Sequence, residues 1–282
     1  MLTKKDLNFI TCLHCENPLS FYGTEKKAFL YQGVVVCKNC DKHWPVKNGL
    51  LYYYNENKVQ GTDRMMRVLY NTFAKLHDPA VKYLLPLMHY RTETAFRKDF
   101  FKELKLEDLF KSKKKKFRIL EVSIGAGANL DYILPHVPKA KELEYWGIDL
   151  STGMVATCEK NIKKKGYKNI KYFLADAHFL PFKDNCFDRV FHIGAIGGFN
   201  DPKKSIKEMI RVAKTGTPIV ISDEALHDPK NRNLYEKAMF KFLTFYDRNP
   251  HAPTECVPEN CAHLKVKPIS NFYYCMSFKK SA

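Results

Sequence analysis

The spacing of apolar residues changes twice along this chain of 282 residues and divides it into three segments. Residues 1–55 contain short strand-like runs such as AFLYQGVVVC, whereas residues 56–115 place leucine and aromatic side chains at helical spacing. From residue 116 onward, strand-like runs such as FRILEV are followed by helix-like runs, as in an α/β domain. No apolar run approaches the length that spans a membrane. We therefore predict an N-terminal module at 1–55, a helical cap and linker at 56–115, and an α/β domain at 116–282.

The most informative stretch is RILEVSIGAGANL, in which an apolar run ends in Gly125, Ala126 and Gly127. A glycine turn before a helix-like run lets the backbone approach a ligand where a side chain would collide. Asp149 follows 24 residues after Gly125, at the end of a second strand-like run. A carboxylate in that position can accept hydrogen bonds from both hydroxyls of a ribose. The sequence therefore predicts a ligand that contains a nucleoside.

The spacing of the glycines separates two kinds of nucleoside ligand. A dinucleotide site carries G-x-G-x-x-G, in which the third glycine lies in the helix beside the pyrophosphate. Here that position holds Leu130, and Glu121 lies four residues before Gly125, where its charge would repel a pyrophosphate. A zwitterionic methionine moiety with a sulfonium suits this loop better.

Because of these residues, the segment from about residue 118 to residue 226 resembles class I S-adenosylmethionine-dependent methyltransferases. Within that family it is similar to the methyltransferases of ubiquinone and menaquinone biosynthesis. The family motif E/D-x-G-x-G-x-G corresponds to residues 121–127, with Ser123 in place of the first glycine. The resemblance implies an α/β fold with a Rossmann-like, seven-stranded sheet, helices on both faces, and S-adenosylmethionine as cofactor. It assigns Asp149 to the ribose, Asp176 to the adenine amino group, and a helix with Tyr70 to closure over the cofactor. The implied cofactor-binding residues are Glu121, Ser123, Gly125, Ala126, Gly127, Asp149, Leu150, Met154, Asp176, Ala177, His192, Ile193 and Tyr70.

Taken singly, these residues have simpler structural interpretations. Gly-Ala-Gly can be a tight turn, and Asp149 can be the N-cap of a helix that begins near Ser151. His192 lies between Phe191 and Ile193 and can be a hydrogen-bonded core histidine rather than a catalytic group. The combination of all the motif elements in order favours the cofactor site.

Two CxxC pairs, Cys12 with Cys15 and Cys37 with Cys40, are separated by 21 residues. In this layout two tight turns supply four thiolates to one tetrahedral zinc ion, and a module of about 55 residues often needs a structural metal. The segment resembles the zinc ribbon of activator subunits that partner RNA and protein methyltransferases, through its DKHWPVKNGLLYYY stretch. The nine cysteines fit reduced thiols in the cytoplasm better than a disulfide framework.

A formal net charge of +17 suits a polyanion such as RNA, but only nine of the 47 basic residues are arginine. Arginine is the side chain favoured for bidentate recognition of phosphates and bases. We interpret the lysine run at Lys111–Lys116 as a solvated loop before a strand, with RNA contact as the alternative.

Methyl transfer is an in-line displacement in which positioning and the exclusion of water do most of the work. If the acceptor must lose a proton, the candidate bases are His192, Glu224 and His227. We therefore predict an S-adenosylmethionine-dependent methyltransferase that acts on a small organic acceptor. The alternatives are an RNA base methyltransferase of the ribosomal RNA guanine type and a catalytically inactive methyltransferase fold that binds a partner.

Overall fold

The computed structural model describes residues 1–79, 93–194, 196–247 and 249–281, so residues 80–92 of the predicted cap and linker lie outside the described part. Its strands are β1 (Leu19–Lys26), β2 (Phe29–Cys37), β3 (His43–Lys47), β4 (Leu50–Tyr53), β5 (Lys116–Val122), β6 (Glu142–Asp149), β7 (Ile170–Ala175), β8 (Arg189–Ile193), β9 (Pro218–Glu224), β10 (Ala262–Pro268) and β11 (Tyr273–Lys279). They form a single sheet in the order β1-β2-β3-β4-β7-β6-β5-β8-β9-β11-β10.

Seven of these strands, β5 to β11, form the predicted Rossmann-like sheet. Strands β7, β6, β5, β8 and β9 are mutually parallel, and β11 and β10 add an antiparallel pair at one side. Because the carboxyl ends of the five parallel strands meet at the same edge, that edge is where a ligand binds in such a fold. The predicted fold is confirmed, and the sheet is wider than predicted because the N-terminal strands extend it.

Both faces of the sheet are buried, which explains why its strands read as near-continuous apolar runs. Side chains alternate along each strand, so Leu120 and Val122 of β5 pack in one cluster while Ile119 packs in the other. One cluster also contains the N-terminal module and a single helix. The other contains most of the remaining helices.

The described helices are α1 (Gly61–Pro79), α2 (Glu93–Glu103), α3 (Leu106–Lys111), α4 (Leu130–Ile133), α5 (Thr152–Lys165), α6 (Pro202–Val212) and α7 (Leu234–Leu243). The helix-like run after Gly127 gives only the four residues of α4, followed by a 3-10 turn at Leu134–His136. Pro135 lies in that turn, and proline has no amide hydrogen to continue an α-helix. In the part of the chain that the structure describes, no helix combines the length and apolarity needed to cross a membrane.

The N-terminal module is built into the same sheet rather than attached to it by a linker alone. Strand β4 runs parallel to β7, with Tyr52 opposite Leu174 and Tyr53 opposite Ala175. The Tyr53 hydroxyl donates to the Thr11 carbonyl at 2.7 Å, and the module's apolar core is continuous with that of the α/β domain. The strand that leads to Asp176 is therefore held in place by the module.

Candidate active site

Three residues of the loop after β5 adopt a left-handed backbone conformation: Ser123, Gly125 and Gly127 have φ values of 60°, 56° and 80°. A Cβ on Gly127 would lie 2.8 Å from the Cys158 sulfur, so packing against α5 requires this glycine. A Cβ on Gly125 would meet only Met154 Cε, at 3.2 Å, which leaves room beside the loop. Ser123 takes a conformation that costs a residue with a Cβ roughly 1–2 kcal/mol.

Asp149 is fixed at the end of β6 by two backbone amides. Its carboxylate accepts hydrogen bonds from the Gly125 amide at 2.9 Å and from the Ser151 amide at 2.8 Å. The N-cap of α5 is Ser151, whose hydroxyl accepts from the Met154 amide, so Asp149 is not the helix cap. The carboxylate therefore ties the glycine loop to the neighbouring strand end, where the predicted ribose would bind.

Asp176 and Ala177 follow β7, one strand further along the same edge. The Asp176 carboxylate accepts from the backbone amide of His178 at 2.9 Å and lies 2.7 Å from its ring Nδ1. Because the His178 Nε2 accepts from the Asp201 amide at 3.2 Å, the ring proton lies on Nδ1 and points to Asp176. No motif in the sequence pointed to His178, which orients the predicted adenine-binding carboxylate.

Helix α1 covers the glycine loop, as the resemblance implies. Tyr70 packs on the small cluster formed by Ala74, Ala126 and Met154. The side-chain oxygen of Asn71 accepts from the Ser151 hydroxyl at 2.7 Å, the Thr152 hydroxyl at 3.1 Å and the Gly153 amide at 3.1 Å. One asparagine oxygen thus clamps α1 onto the start of α5. Asn71 was not predicted, because its partners lie about 80 residues away in the sequence.

A cavity of about 30 Å³ lies beneath α1, between the ends of β5, β6 and β7. A nucleoside-sized ligand needs roughly 300 Å³ or more. The cavity in this structure is therefore smaller than a nucleoside. Three of the lining residues, Ser123, Asp149 and Leu150, come from the two predicted motif strands, and the cavity as a whole is lined by Asp63, Ser123, Ile148, Asp149, Leu150, Ala175, Asp176, Ala177, His178 and Phe199.

Glu121 lies on the other face of the sheet, in a buried polar network. Its two carboxylate oxygens accept hydrogen bonds from the Asn129 amide group and the Tyr145 hydroxyl, and Arg97 of α2 donates to the Asn129 side chain. Burial raises the pKa of Glu121 to about 7, against the opposing effects of Tyr145, Asn129 and Arg97. Glu121 thus joins the cap, the glycine loop and the sheet from behind the loop.

His192 is buried in β8, beside the Val122 carbonyl that ends β5. Its Nδ1 donates to that carbonyl at 2.9 Å, so the neutral ring carries an unprotonated Nε2. This Nε2 is buried and has no hydrogen-bond partner within the described chain, and burial lowers the pKa of His192 to about 4. The next residue, Ile193, ends the strand half-buried. His192 is therefore neutral at physiological pH and offers one unmet acceptor.

The other two candidate bases differ in position. Glu224 ends β9 and accepts hydrogen bonds from the Tyr246 hydroxyl at 2.9 Å and the Tyr273 hydroxyl at 2.7 Å. His227 follows on a loop, and its Nε2 donates to the Tyr273 carbonyl at 3.0 Å. The backbone carbonyl of His227 accepts a hydrogen bond from the Arg232 side chain. Glu224 ends a strand at the carboxyl edge of the sheet, and neither Glu224 nor His227 is among the cavity-lining residues.

The four predicted cysteine ligands come together in the N-terminal module. The sulfur atoms of Cys12, Cys15, Cys37 and Cys40 all lie within 4.8 Å of one another. Two of the separations are 3.5 Å (Cys12 to Cys40) and 3.4 Å (Cys15 to Cys37). Four thiolates at about 2.3 Å from a tetrahedral zinc ion lie slightly further apart than this, so the donor set fits such an ion with small adjustments.

A cleft of about 570 Å³ separates these cysteine turns from the end of β7. The residues that line the cleft include Asp176 and Phe179 after β7, and Lys42, Trp44 and Lys58 of the N-terminal region. The ammonium groups of Lys58 and Lys204 lie 4.1 and 3.4 Å from the centre of the Phe179 ring. This cleft adjoins the predicted adenine end, away from β8 and β9.

The sheet order, the glycine loop and the carboxylates at successive strand ends define a class I methyltransferase domain. The chain matches the family described as "Methyltransferase domain" over residues 120–221. It is 37% identical over 126 residues to norajmaline N-methyltransferase of Rauvolfia serpentina, covering 44% of this chain and 40% of that protein. It is also 32% identical over 106 residues to demethylmenaquinone methyltransferase of Renibacterium salmoninarum, covering 38% and 40%. The chain thus spans about two fifths of the length of these curated relatives.

Among solved structures, phosphoethanolamine N-methyltransferase 2 of Haemonchus contortus, in complex with S-adenosyl-L-methionine, is similar to this chain. Its TM-score is 0.51 at 16% sequence identity, and the match covers 65% of this chain and 53% of that one. This similarity supports the fold of the domain.

Proposed function

We propose that this protein is an S-adenosylmethionine-dependent methyltransferase that acts on a small organic acceptor. The observation that carries the proposal is the Asp149 carboxylate, which two backbone amides orient at the end of β6, one strand from Asp176. The match of residues 120–221 to the methyltransferase family agrees with this assignment.

In the proposed complex each part of the edge has one task. Asp149 binds the ribose hydroxyls, Asp176 binds the adenine amino group, and the loop from Ser123 to Gly127 lies along the methionine moiety. Tyr70 and the rest of α1 close over the cofactor and exclude water, which favours a displacement at a sulfonium. When bound, S-adenosylmethionine supplies the methyl group.

The candidate bases have different chemical capacities. His192 is a weak base, because burial lowers its pKa to about 4 and it stays neutral. It can still accept a hydrogen bond through Nε2. Glu224 lies at the end of the fifth parallel strand and is the better placed proton acceptor, while His227 stays a prediction from the sequence.

Calorimetry with S-adenosylmethionine tests the central assignment. Asp149→Ala removes two charge-assisted hydrogen bonds to the ribose, worth roughly 1.5–3 kcal/mol each, so affinity should fall by about 100-fold or more. The matched control is Asp184→Ala, an exposed carboxylate that pairs with Arg211. Unchanged affinity in Asp149→Ala would remove the proposal.

We also propose that Cys12, Cys15, Cys37 and Cys40 hold a structural zinc ion, and that the module ends near residue 55. Metal analysis should find one equivalent of zinc. Because β4 pairs with β7, Cys37→Ser should lower both metal content and cofactor affinity, whereas Cys186→Ser, outside the set, should change neither. Absence of zinc in the purified protein would refute the metal site.

RNA as acceptor remains the second candidate, and the lysine-lined cleft beside Phe179 is the observation that favours it. The lysine run does not add to it, because Lys114 pairs with Asp188 and Lys116 with Glu142 and Glu144. We expect only non-specific RNA affinity, on the order of 10⁻⁴–10⁻⁶ M at physiological salt, little changed by replacing Lys113 to Lys116 with glutamine. Nanomolar binding that falls steeply with salt would promote the RNA methyltransferase.

The proposal also includes the cellular location of the protein. Nine reduced cysteines support a cytoplasmic location.

Tight binding of S-adenosylmethionine without transfer to any amine, hydroxyl or thiol acceptor would favour the third candidate, a catalytically inactive methyltransferase fold that binds a partner.

A further inference from the structure

Helix α7 carries large apolar side chains on its outer side. Leu234, Tyr235 and Phe242 are 85%, 65% and 70% exposed, and Phe245, in the turn that follows the helix, is 61% exposed. Leu234, Ala238 and Phe242 are spaced four residues apart, Tyr235 precedes Ala238 by three, and residues at these spacings share one side of a helix. We call this outward surface the α7 stripe, and it consists of Leu234, Tyr235, Ala238, Phe242 and Phe245.

The opposite side of α7 fixes this orientation. Glu236, Phe240 and Thr244 are also four residues apart, and all three are buried. The Phe240 ring packs on Phe272 with a distance of 5.7 Å between ring centres, and the Glu236 carboxylate accepts from the Asn233 amide at 3.1 Å. Because a rotation of the helix would break these contacts, the α7 stripe stays at the surface of the monomer.

The charge on the outer side of α7 is positive. Lys237 and Lys241 are exposed, and each directly precedes a residue of the stripe, so together they form a row along one side of it. The single acid between residues 234 and 245 is Glu236, which is buried and pairs with Arg232 at 3.4 Å. A helix face that combines leucine and aromatic side chains with a row of lysines suits the surface of an anionic lipid bilayer.

A second copy of this chain fits the α7 stripe less well than a bilayer does. In a symmetric dimer formed through the stripe, the same patch of both chains meets, so Lys237 and Lys241 would approach the same lysines of the other copy. Each chain also has a formal net charge of +17, which adds to the repulsion. Anionic headgroups have the opposite sign, so the charge of the protein favours the bilayer.

The α7 stripe ends at the carboxyl edge of the sheet. The rings of Phe245 and Tyr246 lie 5.5 Å apart, and the Tyr246 hydroxyl donates to Glu224, at the end of β9, at 2.9 Å. A Cβ on Gly198 would lie 3.3 Å from the Tyr246 ring and 3.6 Å from Met66 of α1, so the end of α7 also adjoins α1. A membrane bound to the stripe would therefore lie beside the edge that carries the proposed cofactor site.

We propose that the α7 stripe docks this protein onto the surface of an anionic lipid bilayer. The leucine and aromatic side chains enter the boundary between headgroups and acyl chains, and the two lysines contact the anionic headgroups. Exposed apolar patches of this kind mark interaction surfaces. The inference goes beyond the proposed methyl transfer and does not depend on it.

Flotation of the full-length protein with lipid vesicles tests the apolar part of this surface. We expect binding to vesicles of equal parts phosphatidylcholine and phosphatidylglycerol to be at least about tenfold tighter than binding to phosphatidylcholine alone. The double variant Phe242→Gln with Phe245→Gln should weaken binding to the anionic vesicles by about tenfold or more. The matched control is Leu264→Gln with Val266→Gln, two side chains of β10 that are 41% and 42% exposed, and it should bind like the wild type.

A second pair of variants tests the lysines. Lys237→Gln with Lys241→Gln should weaken binding to the anionic vesicles by about 30-fold at low salt, because each lysine near such a surface contributes on the order of fivefold. Lys203→Gln with Lys207→Gln removes two exposed lysines with the same spacing on α6 and should change binding by less than about threefold.

Three results would overturn the proposal. The first is equal binding of the wild type to both kinds of vesicle, and the second is a loss in the α6 variant as large as that in the Lys237 and Lys241 variant, which would indicate unspecific attraction of a basic protein. The third is self-association in analytical ultracentrifugation that the Phe242 and Phe245 variant abolishes, without vesicle binding by the wild type, because the stripe would then be a dimer interface. All the substituted side chains are exposed, and thermal unfolding at the wild-type temperature checks that each variant is folded. None of these results bears on binding of S-adenosylmethionine, which calorimetry measures separately.

Discussion

Glu121 and His192 lie on adjacent central strands but on opposite faces of the sheet, and they differ in how their polar atoms are satisfied. Glu121 pairs in register with Phe191, and His192 pairs with Val122. Both side chains are buried, with exposures of 1% and 0%. Every oxygen of Glu121 has a donor, whereas the His192 Nε2 has no partner in the described chain.

This difference separates a structural role from a ligand-binding one. A buried polar group with complete partners holds its surroundings together, as Glu121 does for α2, the glycine loop and β6. A buried group with an unmet acceptor is suited to a ligand, as His192 is on the face shared with Asp223. The four predictions that follow test this distinction.

The largest expected effect is on stability at Glu121. Glu121→Ala removes the acceptor for Asn129 and Tyr145 and the charge opposite Arg97, so the free energy of unfolding should fall by about 3–5 kcal/mol. His192→Phe loses one hydrogen bond and one unmet acceptor and should cost about 1 kcal/mol or less. Urea denaturation compares the two. Equal losses of unfolding free energy in the two variants would show that Glu121 and His192 do not differ in their structural role.

The two residues should also give opposite pH dependences. The pKa of Glu121 is raised from 4.5 to about 7, so between these pH values the folded state holds a proton that the unfolded state has released. The contribution of Glu121 to the free energy of unfolding therefore falls as pH rises from 4.5 to about 7. The pKa of His192 is lowered from 6.5 to about 4, so its contribution rises with pH from 4 to 6.5. Over its full pH range, each of these pKa shifts changes the free energy of unfolding by about 3 kcal/mol.

Single variants separate these opposing slopes. Unfolding free energies measured between pH 4 and 7 should rise more steeply with pH in Glu121→Gln than in the wild type, and should fall in His192→Phe. A pair of variants with identical pH profiles would contradict the assigned protonation states.

Release of α1 tests whether closure controls access to the ligand face. Asn71→Ala removes the oxygen that accepts from Ser151, Thr152 and Gly153, at a cost of about 1–2 kcal/mol to the closed state. The association rate of S-adenosylmethionine in stopped-flow experiments should rise by up to about tenfold. Thr72→Ala, whose hydroxyl bonds only within the helix, is the control. An unchanged rate would mean that α1 does not gate the site.

The smallest effect is at Ser123, which follows the carbonyl that His192 contacts. Ser123→Gly relieves the left-handed conformation but adds freedom to the unfolded chain, so stability should rise by about 0.5–1 kcal/mol. Ser112→Gly, at a residue with φ of −64°, should lower stability instead. Thermal unfolding of the two variants measures both changes in stability. Destabilisation by Ser123→Gly would mean that the Ser123 hydroxyl has a structural role.

The sequence pointed to the parts of the candidate site that depend on local chemistry. Glycines at left-handed positions, an acid at a strand end and paired CxxC turns carry their own short-range signals, so Gly125, Asp149 and the cysteines could be read directly. Asn71, Arg97 and His178 could not, because each acts on partners that only the fold brings near. The Tyr246 and Tyr273 contacts with Glu224 were equally hidden.

By itself, the sequence determined the order of strands and helices, the class of the domain and the carboxylates of its edge, because periodicity and turn chemistry are properties of neighbouring residues. Tertiary structure alone decided that the cysteine module extends the sheet through β4, that Glu121 lies behind the glycine loop, and that Asp223 of β9 shares a face with His192. Register and packing fix these relations, and a change of one residue in register would turn every side chain of a strand to the opposite face.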